Sequence, residues 1–199
     1  MAAPRRGPRE RMIYSTAQLM RREGVSSTGV RDIVAHANAP RGSVRHYFPD
    51  GKEQLVNEAV AWAGNFAASR IERLVAGMSR PTPSKLFAAM VQQWIDEYRT
   101  QGFGAGCPLA AATIDCAETT DSIRAATSQA FSTWRGPLAQ ALIHIGVPAR
   151  KTGSLATLMI STLEGALILA RAEQDMRPLT TVVRELGPLL DSHVRSRQG

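Results

Sequence analysis

Apolar residues return every three or four positions along most of this 199-residue chain, and no stretch alternates apolar and polar residues long enough for a strand. That periodicity restricts the chain to an all-α fold. From Lys52 to about residue 77, Leu55, Ala59, Trp62, Phe66, Ile71 and Leu74 fall mostly on one side, which predicts one long helix. Arg80-Pro81-Thr82-Pro83 interrupts the pattern, and Ser84 is read as the cap of a helix reaching Arg99. A glycine-rich loop spans residues 101–106. Further helices are expected over 108–117, over 121–144 with a kink at Gly136-Pro137, over 148–173, and over 178–197 with a kink at Gly187-Pro188.

Residues 27–52 carry a more specific arrangement. Ser27 or Thr28 is read as an N-cap, and Val30, Ile33, Val34 and Ala37 then share one helical face. Asn38 stands where a turn needs a residue tolerant of positive φ, and Pro40 is placed to open a second helix near Arg41. In that second helix Val44, Tyr47 and Phe48 are the apolar positions, which leaves Arg41, Gly42, Ser43, Arg45 and His46 facing outward. Pro49-Asp50-Gly51 stops it. Arginine pairs with guanine through two hydrogen bonds, Ser and His donate to bases or phosphates, and Gly42 permits close backbone approach. The predicted DNA-contacting set is therefore Thr28, Arg31, Arg41, Gly42, Ser43, Arg45, His46, Tyr47 and Lys52.

Charge concentrates in the same region. Residues 1–52 hold ten Arg or Lys against four acids, a surplus of six out of the chain's net +7. A short segment that neutralises phosphates beside a nearly neutral remainder has this distribution. Arg5 and Arg6 lie in a basic N-terminal arm able to follow a minor groove. That terminus has no apolar h-region, so no secretory signal is read there, and a cytoplasmic location is expected.

These motifs carry a resemblance. Ile13, Ala17 and Met20 precede R-E-G-V, then come T-G-V-R-D-I-V and R-G-S-V-R-H-Y-F-P followed by G-K-E-Q-L. The stretch from Arg9 to about Leu55 resembles the N-terminal DNA-binding domain of TetR/AcrR-family transcriptional regulators. G-C-P-L-A-A-A near residue 107 and E-G-A-L-I-L-A-R at 164–171 are similar to the LmrA/YxaF-like branch. Asn38 stands where the family usually has Gly, Pro40 where a capping Ser is common, and Arg45 where Tyr is usual. The resemblance implies an N-terminal three-helix bundle with a helix-turn-helix, residues 1–52, and a larger helical ligand-binding and dimerisation bundle, residues 53–199.

Other chemistries find no support. Gly102, Gly104 and Gly106 form G-x-G-x-G, but a helix rather than a strand precedes them. Cys107 and Cys116 are nine residues apart, a spacing that suits no zinc or redox motif, and only four His residues exist. Neither a G-x-S-x-G elbow nor an H-E-x-x-H helix occurs. No catalytic residue, metal or cofactor is expected.

Trp94, Tyr98, Phe103, Phe131, Trp134, Met159 and Leu163 gather large apolar side chains in the central helices. Each has a core-packing explanation. The resemblance implies that several line a cavity for a small hydrophobic or aromatic effector, with Gln93, Thr113 or Glu164 as orienting groups. Leu155–Ala170, with both faces apolar, and the leucine-rich last helix offer more apolar surface than one bundle absorbs. A homodimer interface is expected there, through Leu158, Thr162, Ala166, Leu167, Val183, Leu186 and Leu190. The run 155–170 is shorter than a bilayer span and contains Glu164, so no membrane segment is expected. The function implied is a dimeric repressor on a pseudo-palindromic duplex operator, released by an effector. The competing expectation is an architectural DNA-binding protein that answers to no ligand.

Overall fold

The computed structural model describes residues 7–40, 42–116 and 118–194. Within them the chain is all helical, with no strand, as its periodicity predicts. The helices are α1 (Pro8–Ser27), α2 (Val30–His36), α3 (Ser43–Tyr47), α4 (Gly51–Ala76), α5 (Pro83–Gln101), α6 (Pro108–Cys116), α7 (Asp121–His144), α8 (Ala149–Glu173) and α9 (Arg177–Asp191). They form two compact units, Met1–Asn65 with Cys107–Phe131, and Phe66–Gly106 with Ser132–Gly199.

In the first unit α1 packs against α6 and α2. Met12, Ala17 and Met20 of α1, Ile33 of α2, Leu55, Val56, Ala59 and Val60 of α4 and Ala112 of α6 are wholly excluded from solvent. Removing that apolar area from water supplies most of the drive to assemble these short helices. Polar contacts fix their register. Arg9 donates to Glu58 at 2.7 Å, and Tyr14 meets Trp62 edge-on with ring centroids 5.4 Å apart. Ser122 at the start of α7 donates to Glu53 and accepts from Asn57 at 3.1 Å. Further along, Gly64 of α4 lies so close to α7 that a methyl group there would stand 2.8 Å from the Ala130 carbonyl oxygen.

In the second unit α9 packs against both α5 and α8. Thr82, not Ser84, caps α5, its hydroxyl accepting from the Lys85 amide at 3.2 Å. Ser84 serves another purpose. Its amide and hydroxyl donate to the Asp191 carboxylate at 2.9 and 2.6 Å, which ties the start of α5 to the end of α9. Helix α9 ends at Asp191, short of the expected residue 197, and residues 195–197 of that expectation lie outside those described. Neither Pro137 nor Pro188 ends its helix. Arg171 near the end of α8 donates to the carbonyls of Phe103 and Gly104 at 3.3 and 3.5 Å, pinning the glycine-rich loop.

The expectation about membrane length needs correction. The apolar run belongs to a 25-residue helix, long and apolar enough to cross a bilayer by length and composition. What argues for a core helix is burial instead. Leu155, Ala156, Met159, Ile160, Leu163, Ala166, Leu167 and Ala170 are all buried within the second unit.

The Gly64–Ala130 approach yields a stability prediction. Gly64→Val must push α4 and α7 apart or strain both, at a cost of about 1–3 kcal/mol. The melting temperature should fall by roughly 2–4 °C per kcal/mol for a chain of this size. Gly136→Ala, where no neighbouring atom stands within 4 Å of the added carbon, should be neutral or stabilising by about 0.5–1 kcal/mol. Thermal melts followed by circular dichroism compare the two.

Candidate nucleic-acid interface

The turn between α2 and α3 follows from its residues. After Ala37 the chain reaches Asn38 at φ 46, the left-handed conformation that asparagine tolerates. The Asn38 amide then donates to the Ala35 carbonyl at 3.1 Å and the Ala39 amide to Val34 at 3.0 Å. This is a Schellman closure, which satisfies carbonyls that the helix end leaves open. Arg11 of α1 adds charge to the same end, donating to the carbonyls of Ala37 and Asn38 at 2.9 and 3.1 Å, where the helix dipole favours a cation. His36 Nδ1 and the buried Ser15 hydroxyl are hydrogen-bonded at 2.9 Å, a second tie from α2 to α1.

Helix α3 starts later than expected. Pro40 does not open it. Gly42 at φ 87 is its N-cap, and the helical residues are Ser43 to Tyr47. Val44 and Phe48 are buried, and Arg9 stands over the Phe48 ring at 5.2 Å. Arg45 and His46 are exposed on the opposite side, and Tyr47, half-buried, meets His46 edge-on at 4.7 Å. Arg31 on α2 and Gly42 are also exposed. An open groove of about 1230 Å³ runs between α2 and α3, with Val30, Val34, Val44 and Phe48 on its floor and Arg31 and Arg45 in its lining. The expected apolar face of α2 is thus only partly covered. Ile33 and Ala37 are buried, but Val30 and Val34 are half-exposed because so short an α3 cannot cover them.

Two predicted contacts belong elsewhere. Thr28 is fully buried and its hydroxyl donates to the Gly24 carbonyl at 2.6 Å, so it closes the turn before α2 rather than facing DNA; the α2 N-cap is Gly29. Ser43 is buried too, and its hydroxyl donates to the Pro40 carbonyl at 2.7 Å. Small hydroxyl side chains next to a turn satisfy backbone groups before they reach outward. Lys52 sits in the first turn of α4, half-buried, with its ammonium 3.5 Å from the Ser26 carbonyl. Arg41, Arg5 and Arg6 lie outside the described residues. Sequence reasoning missed Arg11, which holds the turn, and Asp115 of α6, whose carboxylate accepts from the Val25 amide at 2.6 Å.

The residues expected around an effector separate into two groups. Trp94, Tyr98 and Phe103 form a continuous ring series in the second unit, with centroids 6.1 and 4.9 Å apart. Trp134, Met159 and Leu163 are buried in that unit, and half-buried Phe131 falls in the first. The cysteines are free and buried. Burial, and then the neighbouring Asp115 carboxylate, push the Cys116 thiol above its ordinary pKa, with Lys52 opposing them. A thiol so shifted is a poor nucleophile. No group of three or more His, Cys, Asp or Glu able to hold a metal occurs among the described residues.

A helix-turn-helix with an exposed cationic second helix defines a DNA-binding protein of the transcription-regulator class. Residues 13–59 match the family model for bacterial regulatory proteins of the tetR family, and residues 83–185 match that for the LmrA/YxaF-like transcriptional regulator C-terminal domain. The chain belongs to the TetR family of transcriptional regulators, in its LmrA/YxaF-like branch. An uncharacterized HTH-type transcriptional regulator of Mycobacterium tuberculosis is 38% identical over 196 residues, covering 96% of this chain and 98% of that protein. The HTH-type transcriptional repressor DhaR of a Mycobacterium species is 24% identical, over 86% of each chain. The crystal structure of a TetR transcriptional regulator from Legionella pneumophila superimposes with a TM-score of 0.79 at 21% identity, over 97% of this chain and 100% of that one. Its relatives are regulators of transcription rather than enzymes.

The exposed arginine and the first-turn lysine should separate in a binding titration. Arg45→Ala is expected to cost about 1–3 kcal/mol at a cognate site and to relax sequence preference. Lys52→Ala should weaken binding to all duplexes alike and make the salt slope shallower by about one unit. Gel-shift titrations over a range of salt measure both; unchanged binding in both variants would mean that another surface reads DNA.

Proposed function

We propose that this regulator is a homodimeric repressor, with residues 1–52 reading DNA and residues 53–199 serving effector binding and dimerisation. It binds a pseudo-palindromic operator and leaves it when a small hydrophobic or aromatic effector is bound. The observation that carries the dimer is where apolar surface remains. Of the seven large apolar side chains exposed among the described residues, four lie on the last two helices: Leu158, Ile168 and Leu169 on α8 and Leu189 on α9. Ser161 and Gly165 are exposed between the α8 residues, so that face is apolar and shallow enough for another helix to approach closely. The expected interface is moved accordingly. Ala166, Leu167, Leu186 and Leu190 are buried in the protomer's own unit, and Thr162 and Val183 are half-buried, which leaves Leu158 as the expected contact that is exposed.

Two copies joined through α8 and α9 carry two recognition helices, and a two-fold axis through the pair requires a two-fold operator. The ring series Trp94, Tyr98 and Phe103, with Trp94 and Phe103 half-buried, supports an aromatic or apolar effector in the second unit. Release follows if the effector favours a dimer whose helix separation mismatches the operator, since a ligand shifts an equilibrium only by binding the two states unequally. Repression accords with the name of the DhaR relative, and a regulator acting on the cell's own DNA would work in the cytoplasm. The second reading, a ligand-independent architectural protein, would leave extended protection on DNA rather than one palindromic footprint.

Ile168→Glu or Leu169→Glu should split the dimer and abolish operator binding, because one half-site supplies too few contacts. Light scattering on the wild type checks the premise; a monomer at micromolar concentration overturns it. In a screen of small aromatic compounds, a true effector should quench tryptophan fluorescence and stabilise the protein by about 2.7 kcal/mol at a hundredfold excess over Kd. It must also weaken operator binding by the factor by which operator weakens its own.

A further inference from the structure

Helix α1 is broken before its end. Gly24 lies at φ 84, ψ 168, so the amides of Val25 and Ser26 lose the helical register that would give them a carbonyl one turn back. Asp115 of α6, ninety residues on, supplies the acceptor: one carboxylate oxygen receives the Val25 amide at 2.6 Å and the Ser26 amide at 3.3 Å. The glycine is needed for this approach as well as for its φ, since a Cβ there would stand 2.5 Å from that same oxygen. The turn is held from its other side too. The buried Thr28 hydroxyl donates to the Gly24 carbonyl at 2.6 Å. Gly29, the N-cap of α2, follows directly.

We propose that Asp115 is a positioning residue for DNA reading. Its carboxylate fixes the turn from which α2 departs, and so the angle at which Arg31, Arg45 and His46 are presented to a duplex. The α2–α3 unit is short, seven and five residues, so this tie acts together with those of Arg11 and His36 between α1 and α2 in setting that angle. The two charge-assisted hydrogen bonds hold that turn against α6. The inference rests on the assignment of α2–α3 as the reading unit. It goes beyond that assignment by placing a determinant of specificity on α6, ninety residues from the turn in sequence.

The experiment uses the full chain, a duplex selected from a random pool by the wild-type protein, and an unselected random duplex at low salt. Asp115→Ala should lower affinity for the selected duplex about tenfold, the scale of two amides left without their acceptor. Affinity for the random duplex should change less than about twofold, because that binding reads phosphates. Hydrogen exchange at Val25 and Ser26 should quicken at least about tenfold, with the amides of residues 12–20 unaffected. Asp115→Asn, which keeps an acceptor oxygen, should restore most of the selected-duplex affinity. A purely stabilising cap gives a different result. If Asp115→Ala lowers the melting temperature yet leaves the ratio of selected to random affinity unchanged, the proposal is overturned. Should that variant fail to fold, Asp115→Asn decides, and lost protection at Val25 and Ser26 with an unchanged ratio overturns it equally. A wild-type protein that enriches no sequence refutes the reading unit instead, in an arm that contains no variant.

Discussion

A helix of five residues cannot hold itself in water, since a single turn fixes more dihedral angles than its hydrogen bonds repay. Helix α3 therefore exists because Val44 and Phe48 are buried beneath it, with the Arg9 guanidinium over the Phe48 ring. The exposed face of α3 depends on that anchorage. Arg45 and His46 face outward because Val44 and Phe48 face inward, and the same ring lies in the floor of the groove between α2 and α3. Arg9 also pairs with Glu58, so the cation over the ring ties α3 to α4 through α1.

The fold class and the turn between α2 and α3 were legible in the sequence because their signals are local. Periodicity gives helices, and an asparagine between two short apolar runs gives a left-handed turn. The roles of Thr28 and Ser43 were not legible, because a hydroxyl beside a turn satisfies a backbone carbonyl at three or four residues' distance as readily as it faces outward. The same limit applied to α8. Both of its faces are apolar, and a single chain does not say which face its own core takes; Ala166 and Leu167 went inward while Ile168 and Leu169 stayed out. Ser84 resembled a helix cap in every local respect, yet its donors go to Asp191, 107 residues away. Contacts of that span leave no periodic trace.

Membership of the TetR family and the geometry of α2–α3 agree on a regulator that binds DNA, and they come from different evidence. The matches cover residues 13–59 and 83–185, which include both the reading helices and the helices that carry the surplus apolar surface. The stretch between those matches holds the second half of α4.

Neither compact unit is one continuous piece of chain. The first is interrupted by residues 66–106 and the second by residues 107–131, so each encloses part of the other in sequence. Helices α1 to α3 are consequently not a portable module. A fragment ending at Asn65 would keep α1 but lose α6, which packs against it, and with it the acceptor for the Val25 amide. During synthesis the first unit cannot complete its core until residue 131 has left the ribosome, and the second unit waits for α9. A chain cut short before α6 or α9 thus exposes apolar surface that the full chain buries.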